Sequence, residues 1–185
     1  MIAFSDMYKN LFTALAIYLC SSFVAATDSV PVEEFFDESF GDLPEEISLA
    51  QEDGKKGLLI MFEMAECPFC HWMKQKVLNK KNVQDFYRQH FRIITIDTEG
   101  DLELVDLSGN DTTQKDFSLK QFRVRATPVF QFIGTDGKPI RGARLTGKAK
   151  NAEEFLLFGE FVVNGHSTKM AFSKYKRLQR AKAKN

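Results

Sequence analysis

Two cysteines in the segment Cys67-Pro68-Phe69-Cys70 carry the chemistry that this chain encodes most clearly. The segment follows an apolar run at 57–62 and opens a helical pattern at 67–79, so both thiols lie at a helix start. The positive end of the helix dipole should let Cys67 ionise more readily than a free cysteine. Thiols three positions apart can also form a disulfide with each other. The segment therefore predicts a dithiol that exchanges disulfides.

The two cysteines are expected to act in sequence. Cys67 is predicted to lie nearer to solvent and to attack a substrate disulfide, while Cys70, one turn further along the helix, is predicted to be more shielded and to resolve the mixed disulfide. Pro68 suits the first helical turn because no N–H is needed there, and Phe69 is predicted to shape the surface around the pair.

Other uses of the cysteine pair stay open at this stage. A disulfide across so short a loop constrains little of the unfolded chain, which disfavours a purely structural bond. Two thiolates are half of a tetrahedral zinc site, but they can hold Cu(I) alone. A non-enzymatic Cu(I)-binding or client-binding module is therefore the alternative to an enzyme. The enzyme requires no metal and no organic cofactor, since the pair itself carries two electrons.

The chain has 25 basic and 25 acidic residues, a balance that does not favour nucleic-acid binding. The charges are nevertheless unevenly distributed along it. Residues 27–42 form an acidic leader, interpreted as flexible or lightly packed. Residues 166–185 form a basic tail with no acid after residue 168. The tail is interpreted as a solubilising end, with a membrane-surface or partner contact as the alternative.

The first 26 residues have the pattern of a secretory signal. Lys9 precedes an apolar stretch at 11–20, and small residues end at Ala26, where cleavage is expected. This predicts export to the bacterial periplasm and no stable membrane insertion after cleavage. Cys20 permits a lipid anchor, but Leu19 is too large for the usual lipoprotein signal. A retained membrane anchor is the other alternative.

The elements that must position the cysteine pair alternate between strand and helix patterns. Strands are predicted at 57–62, 91–97, 128–133 and 143–146, with an extra one at 102–107, and helices at 43–52, 67–79, 82–90, 113–122 and 151–163. Alternation followed by a hairpin predicts an α/β fold with a mixed central sheet and helices on both faces, giving three layers. The domain is expected to span 43–165.

Three features together resemble the thioredoxin superfamily. They are the strand–CxxC–helix unit, the pair Thr127-Pro128 that opens a strand 58 residues after Cys70, and a hairpin at 132–137 followed by a final helix. The resemblance implies a thioredoxin fold. It also implies that Pro128 is cis and that Thr127 faces Cys67, so that both form a docking wall for the substrate chain.

Within the superfamily, the Cys-Pro-aromatic-Cys site and the Thr-Pro pair resemble exported thioredoxin-like proteins of the SoxW kind. That resemblance implies a thiol–disulfide reductase for protein disulfides, supplied with electrons by a membrane thiol-electron transporter. It implies a role in sulfur oxidation or cytochrome c maturation. The direction of electron flow does not follow from the residues between the cysteines.

Two positions depart from the thioredoxin pattern. Met61 replaces a buried aspartate that helps to move the proton of the second thiol, and Glu66 replaces the tryptophan before the first cysteine. Glu63 is therefore the candidate for proton transfer. Glu66 opposes a thiolate on Cys67 by like charge, whereas the helix end and His71 favour it.

Overall fold

The computed structural model describes residues 29–183, and its centre is a four-stranded sheet. The strands of the chain are β1 Gly57–Glu63, β2 Arg92–Asp97, β3 Glu103–Val105, β4 Asp111–Thr113, β5 Val129–Gly134 and β6 Pro139–Thr146. The order in the sheet is β2–β1–β5–β6. Strand β1 runs parallel to β2 and antiparallel to β5, and β5 runs antiparallel to β6. The predicted mixed sheet is confirmed.

Helices cover both faces of this sheet. They are α1 Leu43–Glu52, α2 Pro68–Met73, α3 Lys81–His90, α4 Gln114–Asp116, α5 Ala152–Val163 and α6 Phe172–Lys182. Helices α2 and α4 continue as π-helical turns over Lys74–Leu78 and Phe117–Gln121. Short 3-10 turns lie at Val32–Phe35 and His166–Thr168. The three-layer α/β/α arrangement agrees with the prediction.

Strand β1 separates two hydrophobic cores. Side chains alternate across a strand, so Leu59 and Met61 join the core beneath α2, α3 and α5, while Ile60 and Phe62 join the core beneath α1 and α4. Residues 58–62 are all fully buried. A continuous apolar run is what a strand needs when both of its faces are covered.

The core beneath α2, α3 and α5 is rich in aromatic rings. The Tyr87 ring stacks on that of Phe155 with 4.5 Å between centroids, and its hydroxyl donates a hydrogen bond to the Phe155 carbonyl at 2.6 Å. Burial raises the pKa of Tyr87 well above its usual range. Phe130 and Phe132 of β5 pack against the same group. These rings belong to the same hydrophobic core as Cys67 and Cys70, so they pack the sheet against the helices on that face.

The end of the domain follows the predicted capping chemistry. The Asn151 side chain accepts a hydrogen bond from the Glu154 N–H at 3.0 Å and begins α5. Gly165 has φ 69°, the left-handed conformation that favours glycine after a helix. The return strand β6 is longer than predicted because it begins at Pro139, directly after the turn.

The acidic segment 29–42 packs against the domain more closely than its composition indicated. Phe35 is fully buried, 6.0 Å from Tyr87 between ring centroids. The Asp37 N–H donates to the Ile93 carbonyl, and the Asp37 carboxylate accepts from the Ile93 N–H, both at 2.7 Å. These bonds pair the main-chain groups of Ile93 at the outer edge of β2, one of the two edge strands of the sheet.

The basic tail forms a helix rather than a free end over its described part. Tyr175 of α6 is buried, with its ring 5.2 Å from that of Phe161 and 5.0 Å from that of His166. Lys176 forms an ion pair with Glu154 of α5. The signal sequence predicted for residues 1–26, including Cys20, lies outside the described residues. No helix within 29–183 combines the length and apolar character needed to cross a membrane.

We predict that Phe35→Ala lowers the free energy of unfolding by about 3–5 kcal/mol, because it removes a fully buried ring. Phe40→Ala is the matched control, since Phe40 is 88% exposed and its loss should change stability by less than about 0.5 kcal/mol. Urea denaturation followed by circular dichroism measures both. Equal effects of the two substitutions would contradict the packing of this segment.

Candidate active site

The cysteine pair lies at the start of α2, a few residues after the end of β1. Cys67 is the N-cap residue of α2, and its sulfur accepts a hydrogen bond from the Cys70 N–H at 3.1 Å. Pro68 occupies the first turn of the helix, as predicted, where its missing N–H leaves no helical bond unmade. Both the helix end and this N–H favour negative charge on the Cys67 sulfur.

Cys67 and Cys70 are joined by a disulfide. The two residues are almost equally buried, with 3% and 2% of their surface exposed. This differs from the expectation that Cys67 lies nearer to solvent. Pro68 and Phe69, between the cysteines in the chain, are exposed, and Thr127 contacts the Cys67 sulfur. The disulfide is therefore buried although the two residues between its cysteines face solvent.

Thr127 and Pro128 lie close to the cysteine pair at one end of the sheet. The Thr127–Pro128 peptide bond is cis. The Thr127 hydroxyl donates a hydrogen bond to the Cys67 sulfur, with 3.1 Å between Oγ1 and Sγ. Pro128 is buried and Thr127 is half-buried. Two motifs 60 residues apart in the chain thus form one site.

The register of β1 with β5 explains this meeting. Phe62 pairs with Val129, so the residues directly before β5 lie beside the end of β1. The chain continues from β1 through residues 64–66 to Cys67. Since antiparallel neighbours exchange hydrogen bonds at fixed positions, this register places Thr127 and Pro128 opposite the start of α2.

Glu63 lies at the end of β1, two residues beyond Met61. Met61 is fully buried in the core that includes both cysteines. The Glu63 carboxylate forms an ion pair with the Lys74 ammonium at 2.7 Å, and its side chain is 18% exposed. Both side chains line a polar cavity of about 390 Å³ together with His71 and Asp97. Glu63 is thus engaged by a cation that the sequence analysis did not associate with it.

Glu66 and His71 directly precede and follow the cysteine motif in the chain, and both are exposed. The His71 ring nitrogen Nε2 lies 3.1 Å from the carbonyl oxygen of Ala65, which links α2 to the preceding loop. Glu66 is exposed beside Cys67. The residues 29–183 contain no group of three or more His, Cys, Asp or Glu side chains arranged to hold a metal ion.

Lys148 is a site residue that the sequence analysis missed. Its ammonium lies 4.2 Å from the centroid of the Trp72 ring and 5.5 Å from that of the Phe69 ring. Both distances are typical of cation–π contacts. No motif marks Lys148, since the contact depends on a loop 76 residues beyond Trp72. The loop between the end of β6 and the start of α5 is therefore part of the site.

A family model described as a thioredoxin-like domain matches residues 43–162. The chain belongs to this family. Membership, together with the Cys67–Cys70 disulfide at the start of α2, supports thiol–disulfide oxidoreductase activity. None of the curated proteins that were compared matches the chain in sequence.

Solved structures of other proteins share the fold at low sequence identity. A thioredoxin-fold protein from Helicobacter pylori superposes with a TM-score of 0.59 at 18% identity, over 82% of this chain and 92% of that chain. A thioredoxin from Thermus thermophilus gives 0.51 at 23% identity, over 69% and 88%. An oxidoreductase named DsbH gives 0.52 at 15% identity, over 78% and 95%. At these identities the likeness shows the thioredoxin fold.

Thr127→Val should destabilise the Cys67 thiolate of the reduced protein, because it removes the hydroxyl donor while keeping the side-chain volume. One hydrogen bond to a charged sulfur is worth roughly 1 kcal/mol or more, so the thiolate fraction near neutral pH should fall about fivefold. Titration of the thiolate absorbance measures the fraction, which Thr127→Ser should restore. Thr112→Val, in the β3–β4 hairpin, is the control. An unchanged titration in Thr127→Val would contradict this role.

Glu63→Gln should slow the resolution of a mixed disulfide on Cys67 by about tenfold or more, since a positioned proton acceptor is lost. Stopped-flow measurement of thiol release from the preformed mixed disulfide tests this. Asp97→Asn is the matched control, because Asp97 lines the same cavity but is exposed. Resolution at the wild-type rate in Glu63→Gln would remove Glu63 from proton transfer.

Proposed function

We propose that the protein is a periplasmic thiol–disulfide oxidoreductase that reduces disulfides of exported proteins through Cys67 and Cys70. One observation carries this proposal. A disulfide at the first turn of α2 accepts a hydrogen bond from Thr127, next to the cis peptide bond of Pro128. This arrangement provides a sulfur with favoured negative charge and a partner thiol within bonding distance.

The proposed exchange conserves electrons and protons. The Cys67 thiolate attacks one sulfur of the substrate disulfide, a mixed disulfide forms, and the other substrate sulfur leaves as a thiolate that takes a proton. Cys70 then loses its proton and attacks the Cys67 sulfur. The second substrate sulfur leaves and is protonated. The substrate gains two electrons and two protons, and the protein returns to the disulfide form.

Substrate docking is assigned to the surfaces on either side of the disulfide. Phe69 is 52% exposed and Pro68 is exposed, so both offer apolar surface to an incoming chain. Thr127 and Pro128 form the facing wall. Since both cysteines are almost fully buried, the substrate must approach between these walls.

Proton transfer to and from Cys70 is assigned to Glu63. Its carboxylate pairs with Lys74 and lines a polar cavity, so it can exchange protons with bulk water. The fully buried position 61 in β1 holds a methionine and therefore supplies no carboxylate for proton transfer. This arrangement favours slower resolution of the mixed disulfide than in a thioredoxin with a buried aspartate.

The electron donor proposed for the pair is a membrane thiol-electron transporter, and the acceptor is an exported protein with a disulfide. The support is the predicted signal at 1–26 and the resemblance to SoxW-like proteins. A sulfur carrier and a c-type cytochrome precursor both have suitable chemistry. The cysteine pair stores the two electrons itself, so the exchange uses no metal and no organic cofactor.

The full-length chain with Cys70→Ser should trap substrates as mixed disulfides on Cys67, because the resolving thiol is absent. Expressed with its signal in a periplasm, it should yield complexes that dissociate on treatment with dithiothreitol and are identified by mass spectrometry. The control is Cys67→Ser with Cys70→Ser, which should trap nothing. Trapping by the double variant at the level of Cys70→Ser alone would contradict the assignment of Cys67 as the nucleophile.

A further inference from the structure

A cation lies on the aromatic side of the disulfide site. The Lys148 ammonium spans the rings of Phe69 and Trp72, which belong to the same helix as Cys70. Phe69 is about half exposed and Lys148 is exposed, so this group faces an incoming chain. We call these three residues the aromatic–cation rim.

The backbone holds Lys148 next to Pro128. The Gly147 N–H donates a hydrogen bond to the Pro128 carbonyl at 2.8 Å. Gly147 has φ 84°, a conformation that a residue with a side chain rarely adopts. Ala149, the residue after Lys148, is buried, with 1% of its surface exposed. The loop is therefore fixed at both neighbours of Lys148, and the charge stays beside the docking wall.

The Lys148 charge has no carboxylate partner among residues 29–183, where the ion pairs involve other cations. A cation on an aromatic ring keeps its charge and loses part of its hydration. Such an ammonium can bind an incoming carboxylate at a lower cost in side-chain entropy than a free surface lysine.

A groove that begins at the docking wall also carries positive charge. A groove of about 470 Å³ begins at Thr127 and is lined by Arg125, Lys115 and the apolar side chains of Met64 and Leu119, with Glu99 as its acid. Arg125 and Lys115 are exposed. A chain docked at Thr127 and Pro128 therefore has Lys148 near Pro128 and the two cations of this groove next to Thr127.

We propose that the aromatic–cation rim selects protein substrates that carry acidic residues beside the disulfide to be reduced, with Lys148 as the specificity-determining residue. This inference rests on the proposed function and names its substrate class. The exposed Glu66 beside Cys67 repels acids at the disulfide itself. The favoured carboxylates therefore lie a few residues from the substrate cysteine, within reach of Lys148 and Arg125.

The test uses three disulfide-bonded peptides that differ only at two positions flanking the cysteine, which are Glu, Gln or Lys. The rate constant for oxidation of the reduced full chain is measured at low and high salt. The Glu peptide should react about tenfold faster than the Lys peptide at low salt and within about twofold at 1 M salt.

Lys148→Gln should reduce the Glu-over-Lys preference by about threefold, and Lys148→Glu should reduce it further. Far-UV circular dichroism checks that both variants are folded. The matched control is Lys150→Gln, an exposed lysine two residues along the chain that contacts neither ring. It should retain the preference.

Two failures are distinguishable in this experiment. If the reduced wild-type protein reacts with all three peptides at equal rates, the substrate selection is wrong and the oxidoreductase remains. If it reacts with none of them, the proposed function itself is wrong. A preference that survives unchanged in Lys148→Glu would assign selection to residues other than Lys148.

Discussion

The antiparallel pairing of β1 with β5 is the contact on which the site depends. Each strand supplies one half of the chemistry at its end, with the cysteines following β1 and Thr127-Pro128 preceding β5. A slip of one residue in the pairing would turn every side chain of a strand to the opposite face. The hydrogen bond from Thr127 to the Cys67 sulfur would then be lost. Sheet register and redox chemistry are therefore coupled.

The two cores hold this register by burying both faces of β1. Leu59 and Met61 must point to the aromatic core, and Ile60 and Phe62 to the core beneath α1 and α4. The segment 29–42 adds two hydrogen bonds to the main chain of Ile93 at the β2 edge of the same sheet, one of them through the Asp37 carboxylate. The disulfide thus lies at the end of a sheet that is constrained on both faces and along this edge.

Much of this architecture could be predicted from local patterns. The apolar run of β1, the cap at Asn151 and the glycine at 165 each depend on neighbouring residues, and the structure has them as predicted. The segment 29–42 could not be recognised as closely packed, because its acidic composition is equally typical of a flexible leader. The burial of Phe35 there depends on rings that lie far along the chain.

The candidate site also combines features that are visible in the sequence with features that depend on tertiary packing. The CxxC motif and the Thr-Pro pair are visible in the sequence, and the structure brings them within hydrogen-bond distance. The equal burial of both cysteines was not predictable, because it depends on how Thr127 covers the sulfur of Cys67. The positions of Lys74 beside Glu63 and of Lys148 over Trp72 follow from tertiary packing alone.

The reduction potential of the Cys67–Cys70 pair tests the central claim most directly. It is measured by equilibrating the full chain with thiol–disulfide buffers of known potential and quantifying the two forms by alkylation. We expect one reversible two-electron transition within about −270 to −120 mV, the range of dithiol exchangers on this fold, with a value near the reducing end. A disulfide that stays oxidised below about −300 mV would be structural, and the pair would then not serve in disulfide exchange.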